Sequence, residues 1–582
     1  MGLPAALKAH AQKDLKLAAL HYQRAIDQKK YKPVLFQNYG ALLREAGDLK
    51  KSRSVYELGL KLFPRHLPIL RNYANLLRDI DEFLSLTAYF DLLHNKIHLA
   101  SNDLVEEDFL PIIEILQSLG CHSWAYEISY FAISLIGLYP GLAVQCLKTF
   151  AYHQDSLNSV IDKESLENLF AVNISYLSEM RQSEFFYALS WMYFQDKDIE
   201  MATNYLSKAR KIISNADNLS HEDLVSAIEL NDRTSWNAAT ILLNTQNFEL
   251  GWQLFEHGLR VAAKGPQAWQ RALPKPFTHN QLALWRGESL NSRRLLLLEE
   301  QAIGDVMQFM TLLPNLIDEA SHIGILINKR LLQIYKRSFS NYINDGRVSI
   351  WSFGDVRTSK LLSSNFDYQS PIGSICQYRF THPKSYAPKS PFLLVDRQEV
   401  SKIKEKYLDS QTPRSSKIIG ISWRGGGTSS RIKQKSINPN FFSQLINKFP
   451  QHVFVSLQYG DVAQDISNWK KSGVNVLHDS NFDAIQSLEK WLIQVASCDA
   501  VISVANTTIH GSGGLGVPTM CLLSLHNDWR WLSDPSIDQS YWYPSVGIIR
   551  ETSDSGWSEA FVKLTEWIAS DCPLSWSRPY NV

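Results

Sequence analysis

The chain has few cysteines, no charge of one sign in excess and no long hydrophobic run. Its six cysteines (Cys121, Cys146, Cys376, Cys498, Cys521, Cys572) include no Cys-x-x-Cys pair. That argues against a zinc knuckle and against a disulfide framework, and fits a reducing compartment. Lys and Arg total 59 against 58 Asp and Glu, a formal net charge of +1. No global field therefore favours nucleic acid or an anionic membrane. No stretch of about 18 uninterrupted apolar residues occurs, which argues against a membrane span. The first residues carry Lys8, Lys13, Asp14 and Lys16 and no long apolar region, so no secretory signal is expected there. Ala6 stands where a myristoylation signal after Gly2 needs Ser or Thr. The Asn-x-Ser/Thr triplets at Asn173, Asn218 and Asn506 read as chance in a cytoplasmic protein. What remains is ordinary globular composition, 45% apolar and 20% charged over 582 residues. That length exceeds one hydrophobic core, and roughly two to four domains are expected.

Self-similarity recurs at a spacing of about 34 residues. With Pro33 at position one, Phe36, Tyr39, Gly40, Gly47, Asp48, Ser52, Tyr56, Gly59 and Pro64 fall where a tetratricopeptide unit places aromatic, small and helix-ending residues. One repeat forward, Leu70, Tyr73, Ala74 and Leu77 match; one repeat back, Ala18, Tyr22 and Ala25 match. This resembles the tetratricopeptide repeat family. Each unit is two amphipathic helices, and stacking buries faces that one unit cannot bury alone. The period blurs near residue 90 and returns at Leu189, Ser190, Tyr193, Asp198, Ala202 and Ala209, then at Asn247, Gly251, Trp252, Phe255 and Gly258. Residues 1–99 read as repeats and 100–279 as degenerate helical repeats, with a concave surface expected to hold a protein or peptide. Asp79-Ile80-Asp81 has the form of a metal-binding Asp-x-Asp, but its place on a repeat helix favours a structural role.

From about residue 280 short apolar strands alternate with helices, the pattern of parallel sheets. Strands are expected at Arg294–Leu298, Ile323–Ile327, Ile418–Ser422, Val453–Leu457, Val474–Leu477 and Ala500–Val504. Two Rossmann-like domains, 280–410 and 411–582, are joined by the polar stretch Asp409–Lys417. Ligands of such folds bind at the carboxyl ends of strands.

Four segments that follow strands carry candidate chemistry. In the first, Ala500–Val504 runs into Asn506, Thr507 and Thr508, good helix N-caps, and then into Gly511–Gly516. Free N–H groups and the positive helix pole there read as a phosphate cradle. His510 at this helix start is either a structural histidine or a sugar or phosphate contact. In the second, Glu300-Gln-Ala-Ile-Gly304-Asp305, Gly304 permits a tight turn, and Asp305 is either a helix cap or a general base. In the third, Ser422-Trp-Arg424-Gly425-Gly426-Gly427-Thr428, with Arg431, Lys433, Lys435 and Ser436 downstream, glycines let backbone approach phosphate and cations can neutralise a departing diphosphate. A solvated surface loop is the alternative. In the fourth, Asp528-Trp-Arg530-Trp531 followed by Tyr541-Trp-Tyr-Pro544, Arg530 either reaches an anion or belongs to a packed aromatic corner.

Taken in order with Gly251-Trp252, Trp285–Glu288, Lys435–Ile437 and Ser456–Gln458, these segments resemble the bacterial tetratricopeptide-repeat glycosyltransferases. The catalytic half of that group is similar to the ADP-heptose lipopolysaccharide heptosyltransferases. The resemblance covers about residues 230–560. It implies an N-terminal α-solenoid followed by a GT-B fold, and metal-independent, inverting sugar transfer from a nucleotide sugar, with no cofactor. It implies Asp305 as the base and Lys435 as the residue that stabilises the leaving diphosphate. By the same resemblance Asn506, Thr507, Thr508 and His510 would hold the donor, and further donor contacts are expected from Gly304, Arg424, Gly425, Gly426, Gln458, Gly511 and Arg530. The expected partners are the nucleotide-sugar donor and a protein or peptide acceptor. Two other readings are a non-catalytic repeat scaffold, motivated by Ala302 where the family has Gly and Ala505 where it has Asp, and a protein O-GlcNAc transferase-like enzyme.

Overall fold

The computed structural model describes residues 3–12, 14–99, 103–137, 139, 141, 142, 145, 146, 149, 179–195, 198–215, 221–261, 271, 282–355, 361, 364–382, 391–408, 413, 415–426, 432, 435–525, 527–552 and 555–574. The expectations on Gly427, Thr428, Arg431, Lys433, Asn173, Asn218 and most of the 409–417 linker lie outside the described residues. The chain divides into two compact units, 1–227 and 228–582.

The first unit is helical. Leu3–Ala11 packs on Leu15–Asp27, Pro33–Glu45 on Leu49–Leu62, and Leu67–Arg78 on Glu82–Leu99. Leu110–Ser118 then packs on His122–Ile136, and Glu179–Gln195 on Ile199–Asn215. Small residues set the helix contacts. A Cβ at Gly40 would meet the Tyr56 ring at 2.3 Å, and one at Gly59 would meet Phe36 Cβ at 2.7 Å. Those two aromatic side chains fill the space the glycines leave, so the two helices interlock. Ala18, Tyr22 and Ala25 of the preceding repeat are fully buried, as the shifted pattern requires. In the first three pairs the second helix opens on an Asp cap: Asp14 accepts from Leu17 N–H (3.0 Å), Asp48 from Lys51 N–H (3.1 Å) and Asp81 from Leu84 N–H (3.0 Å). Asp81 is therefore a cap, and Asp79 pairs with Arg44 at 2.6 Å. Both carboxylates of the Asp-x-Asp have structural partners.

The second unit holds two parallel sheets of five strands each among the described residues. The first contains β1 (Ala283–Leu284), β2 (Arg294–Leu298), β3 (His322–Ile327), β4 (Val348–Ser352) and β5 (Tyr368–Pro371), in the order β1-β5-β2-β3-β4. The second contains β6 (Ile418–Ser422), β7 (Val453–Ser456), β8 (Ala500–Val504), β9 (Thr519–Leu523) and β10 (Val546–Arg550), in the order β10-β9-β8-β6-β7. Every residue of β3, β6, β8 and β9 is buried, as strands covered on both faces must be. The expected strand at Val474–Leu477 is only an isolated bridge, Val455 to Leu477. Leu477 still binds the backbone of Phe454 and Ser456, but no ladder continues beyond it.

Residues 228–261, read from sequence as repeats, belong to this second unit. Trp252 and Phe255 of the helix Phe248–Phe255 pack edge-on against Trp529, at 5.4 and 5.6 Å between ring centres. Five of the six cysteines are buried; Cys121 is exposed. Among the described residues, no helix is long and apolar enough to cross a membrane.

Candidate functional site

Two helix N-termini meet at the carboxyl ends of the central strands. Helix Ile303–Phe309 follows β2, and helix Thr507–Leu515 follows β8. They pack on each other, with Gly304 against His510. Short loops after parallel strands bring these ends into one place.

Asp305 occupies the first turn of its helix. Its Oδ2 accepts from Ala302 N–H at 3.1 Å, and its Oδ1 accepts from Arg530 Nη2. Arg530 Nη1 lies 3.4 Å from Asp528 Oδ2, and Lys435 Nζ donates to the same oxygen at 3.0 Å. Asp305, Arg530, Asp528 and Lys435 thus form a row of alternating charge. Burial opposes ionisation of Asp528, but Lys435 and then Arg530 outweigh it and hold the carboxyl well below the usual carboxylate range. Burial also works against the Arg530 cation, and Asp305 and Asp528 outweigh it, so its pKa rises. The guanidinium lies 4.4 Å from the centre of the Trp529 ring. A cavity beside Lys435 and Asp528 is lined further by Ala505, Leu522, Leu523, Ser524 and Asn527, at the ends of β8 and β9.

The start of the loop after β6 is held by the Gln458 side chain together with Asn506. Gln458 Oε1 accepts from Ser422 Oγ (3.0 Å), Trp423 N–H (3.0 Å) and Arg424 N–H (2.8 Å). Gln458 is 5% exposed, so these bonds are worth more than they would be in water. Arg424 turns its guanidinium to Asp461 O and stands 4.0 Å from Asp465. Gly425 is required by space, since a Cβ there would fall 2.6 Å from Lys435 Cβ. Gly426 follows it, half-buried. Glycine here brings Lys435 against the loop.

Asn506 caps its helix through Thr508 N–H (2.8 Å) and donates to Ser422 Oγ (2.8 Å) and Arg424 O (3.0 Å). Its amide ties the end of β8 to the end of β6. Thr507 is the first helical residue and is half-buried; Thr508 is fully buried, and its Oγ1 has no hydrogen-bond partner among the described residues. The glycines beyond are packed closely by side chains. A Cβ at Gly511 would meet Trp491 at 2.8 Å, at Gly513 Tyr543 at 2.5 Å and at Gly514 Leu393 at 2.6 Å. They let side chains press against the helix, and Gly516 ends it in the left-handed conformation (φ +76°). In the first turn Thr508 N–H is taken by the Asn506 side chain and Ile509 N–H by Asn506 O, 3.1 Å away.

His510 is 6% exposed, and its Nδ1 lies 3.0 Å from Tyr543 Oη. Burial pushes its pKa down to about 4, so the ring is neutral near pH 7. Its neighbours are Gly304, Tyr543 and, at 5.9 Å between ring centres, Trp531. This is the packing of a structural histidine at the junction of two helices.

Two ionisable groups escaped the sequence reading, Arg271, which is buried, and Glu299, which is half-buried. Arg271 is fully buried, bound to Glu300 (2.7 and 2.9 Å), Glu256 (2.7 Å), Ser374 Oγ (2.8 Å) and Phe255 O (2.9 Å). It anchors the start of the loop that carries Asp305. Glu299 accepts from Asn328 N–H at 2.6 Å, yet burial pushes its pKa up to about 7. Arg271 stands in a stretch without periodicity, and Glu299 looked like an ordinary turn residue.

No protein-family model matches the chain. Protein FlbA of Caulobacter vibrioides is 26% identical over 315 residues, which cover 53% of this chain and 50% of FlbA. The chain therefore spans about half the length of the curated relative it matches. Among solved structures it is similar to the glycosyl transferase family 9 protein of Veillonella parvula, at 15% identity over 49% of this chain and 91% of that one, with a TM-score of 0.32. It is also similar to YrrB, a TPR protein with an unusual peptide-binding site, at 17% identity over 36% of this chain and 98% of that one, with a TM-score of 0.25.

Proposed function

We propose that this protein is a metal-independent, inverting glycosyltransferase that moves a sugar from a nucleotide donor to an acceptor, a protein bound by the repeats. The observation that carries the reading is the charge row Asp305–Arg530–Asp528–Lys435. It joins the loop after the central strand of one parallel sheet to segments that follow strands of the other. The two sheets then act as the halves of a GT-B arrangement, with the donor at the carboxyl ends of β8 and β9 beside Lys435.

In this reading Asp305 takes the proton of the acceptor hydroxyl as its oxygen attacks the anomeric carbon. The bond from that carbon to the diphosphate oxygen breaks with its electron pair on the leaving group. Lys435 and the first turn of helix Thr507–Leu515 offset the charge that develops there. Gln458 acts by holding the loop after β6 in place, and Asn506 by fixing that loop to the helix start.

The test is a melting-point panel of UDP, GDP, ADP and CMP with their common sugar conjugates, on wild type and on Lys435→Ala, followed by transfer of labelled sugar. A ligand that binds only the folded state raises the midpoint with its occupancy. One base should raise it, its sugar conjugate should raise it further, and the variant should lose the effect. No rise with any of them, in folded protein, would overturn the reading and leave the scaffold alternative.

A further inference from the structure

Arg530 stands between two carboxylates. Nη2 donates to Asp305 Oδ1, and Nη1 lies 3.4 Å from Asp528 Oδ2. Its main-chain N–H is fixed by Asp528 Oδ1 at 3.1 Å, so the backbone stays in place while the side chain can turn. Only 11% of the Asp305 side chain and 15% of that of Arg530 are exposed, so little water competes for the contact. An ion-paired carboxylate with one oxygen on a guanidinium and the other on Ala302 N–H is poorly placed to take a proton from an acceptor hydroxyl. Arg530 is also one of the two cations, with Lys435, that share Asp528 beside the cavity. A diphosphate carries more negative charge and more acceptor oxygens than one carboxylate, and a guanidinium matches phosphate in a two-pronged geometry.

We propose that Arg530 masks Asp305 in the donor-free protein and that the donor's diphosphate draws the guanidinium away, so that the base is released only when donor is bound. This rests on the function proposed above. Arg530 is a positioning residue that acts through Asp305. Such a device ties proton removal from the acceptor to the presence of a sugar to transfer.

Carboxylate labelling tests it on the full chain, with a carbodiimide and an amine nucleophile read out by peptide mapping. Inorganic pyrophosphate is the probe. Exposed Asp396 serves as internal standard, and Glu300, buried against Arg271, reports any opening of the fold. In wild type, the labelling of Asp305 relative to Asp396 should rise several-fold on adding pyrophosphate. In Arg530→Met it should be high with or without pyrophosphate, and Arg530→Lys should restore part of the masking. A variant in which Glu300 becomes labelled has opened, and the two wild-type arms then decide alone. Pyrophosphate that raises the melting point of wild type but not of Lys435→Ala, while Asp305 labelling stays flat or falls, overturns the mask and spares the proposed function. No melting shift with pyrophosphate in folded wild type overturns the mask as stated, and if no nucleotide of the panel shifts it either, both are overturned.

Discussion

Gly304 and His510 touch so closely that a Cβ atom at position 304 would stand 2.8 Å from the imidazole Cδ2. The ring cannot retreat freely, because Tyr543 holds Nδ1 at 3.0 Å and Trp531 packs nearby. Gly304→Ala should therefore push apart the two helix starts that carry Asp305 and Asn506. Overpacking of this kind costs about 1–3 kcal/mol. A fall of a few degrees in melting point with at least a tenfold loss of sugar transfer is expected. Wild-type melting and turnover would show that this contact does not set the site.

Asp528 neutralises both Lys435 and Arg530. Asp528→Asn keeps the shape and the backbone acceptor but leaves two partly buried cations with one carboxylate between them. Breaking such a pairing from one side is costly. The variant should melt several degrees lower in dilute buffer, and inorganic pyrophosphate should raise its midpoint by more than it raises that of wild type. An equal or smaller shift would mean that the anion binds away from these cations.

Gln458 accepts two main-chain N–H groups that have no other acceptor among the described residues. Gln458→Leu strands both, at about 1–3 kcal/mol for each buried group. We expect reduced stability and a KM for the donor raised by tenfold or more, with kcat changed less. Saturation kinetics over a donor series decides it.

The pH response should carry two opposed contributions. His510 has a folded pKa of about 4, below the ordinary 6.5, so the unfolded chain binds more protons between those values and stability falls as pH drops through that window. Glu299 has a folded pKa of about 7, above the ordinary 4.5, so the folded chain binds more protons there and stability falls as pH rises from 4.5 to 7. Glu299→Gln should thus raise the melting point at pH 8, on the order of 2 kcal/mol of stabilisation, and leave it little changed at pH 4.5. Equal effects at both pH values would show that Glu299 ionises without penalty.

Much of this was readable before any coordinates. The run Ala500–Val504 followed by Asn506 signals a buried strand and a helix cap because β-branching and a short amide act locally. The repeat pattern did the same for Gly40 and Gly59, whose partners Tyr56 and Phe36 sit within the same unit. The charge row was not readable, since Asp305 and Arg530 are distant in sequence and no spacing rule joins them. The packing role of the Gly511–Gly516 run was not readable for a physical reason. Glycine permits close approach by a ligand and by a side chain alike, and only the tertiary structure shows Trp491, Tyr543 and Leu393 in the space. Arg271 was missed because a single buried cation leaves no periodic trace, although a lone Arg among apolar neighbours with Glu256 and Glu300 nearby in sequence was a signal.

Asn244 reaches from the helix ahead of the sheets to Asn527 Oδ1 at 3.0 Å and to Asp528 O at 3.1 Å, while its own carbonyl accepts from Ser533 N–H at 2.9 Å. The turn that bears Asp528 and Arg530 is thus braced from a part of the chain that sequence periodicity assigns to the repeats. A fragment cut at residue 280 would keep both parallel sheets yet lose this brace and the Trp252 contact. Trimming from the N-terminal side should stop before Ile228 if this turn is to keep its brace, and a truncation series read by pyrophosphate binding would find its boundary there rather than at the first strand.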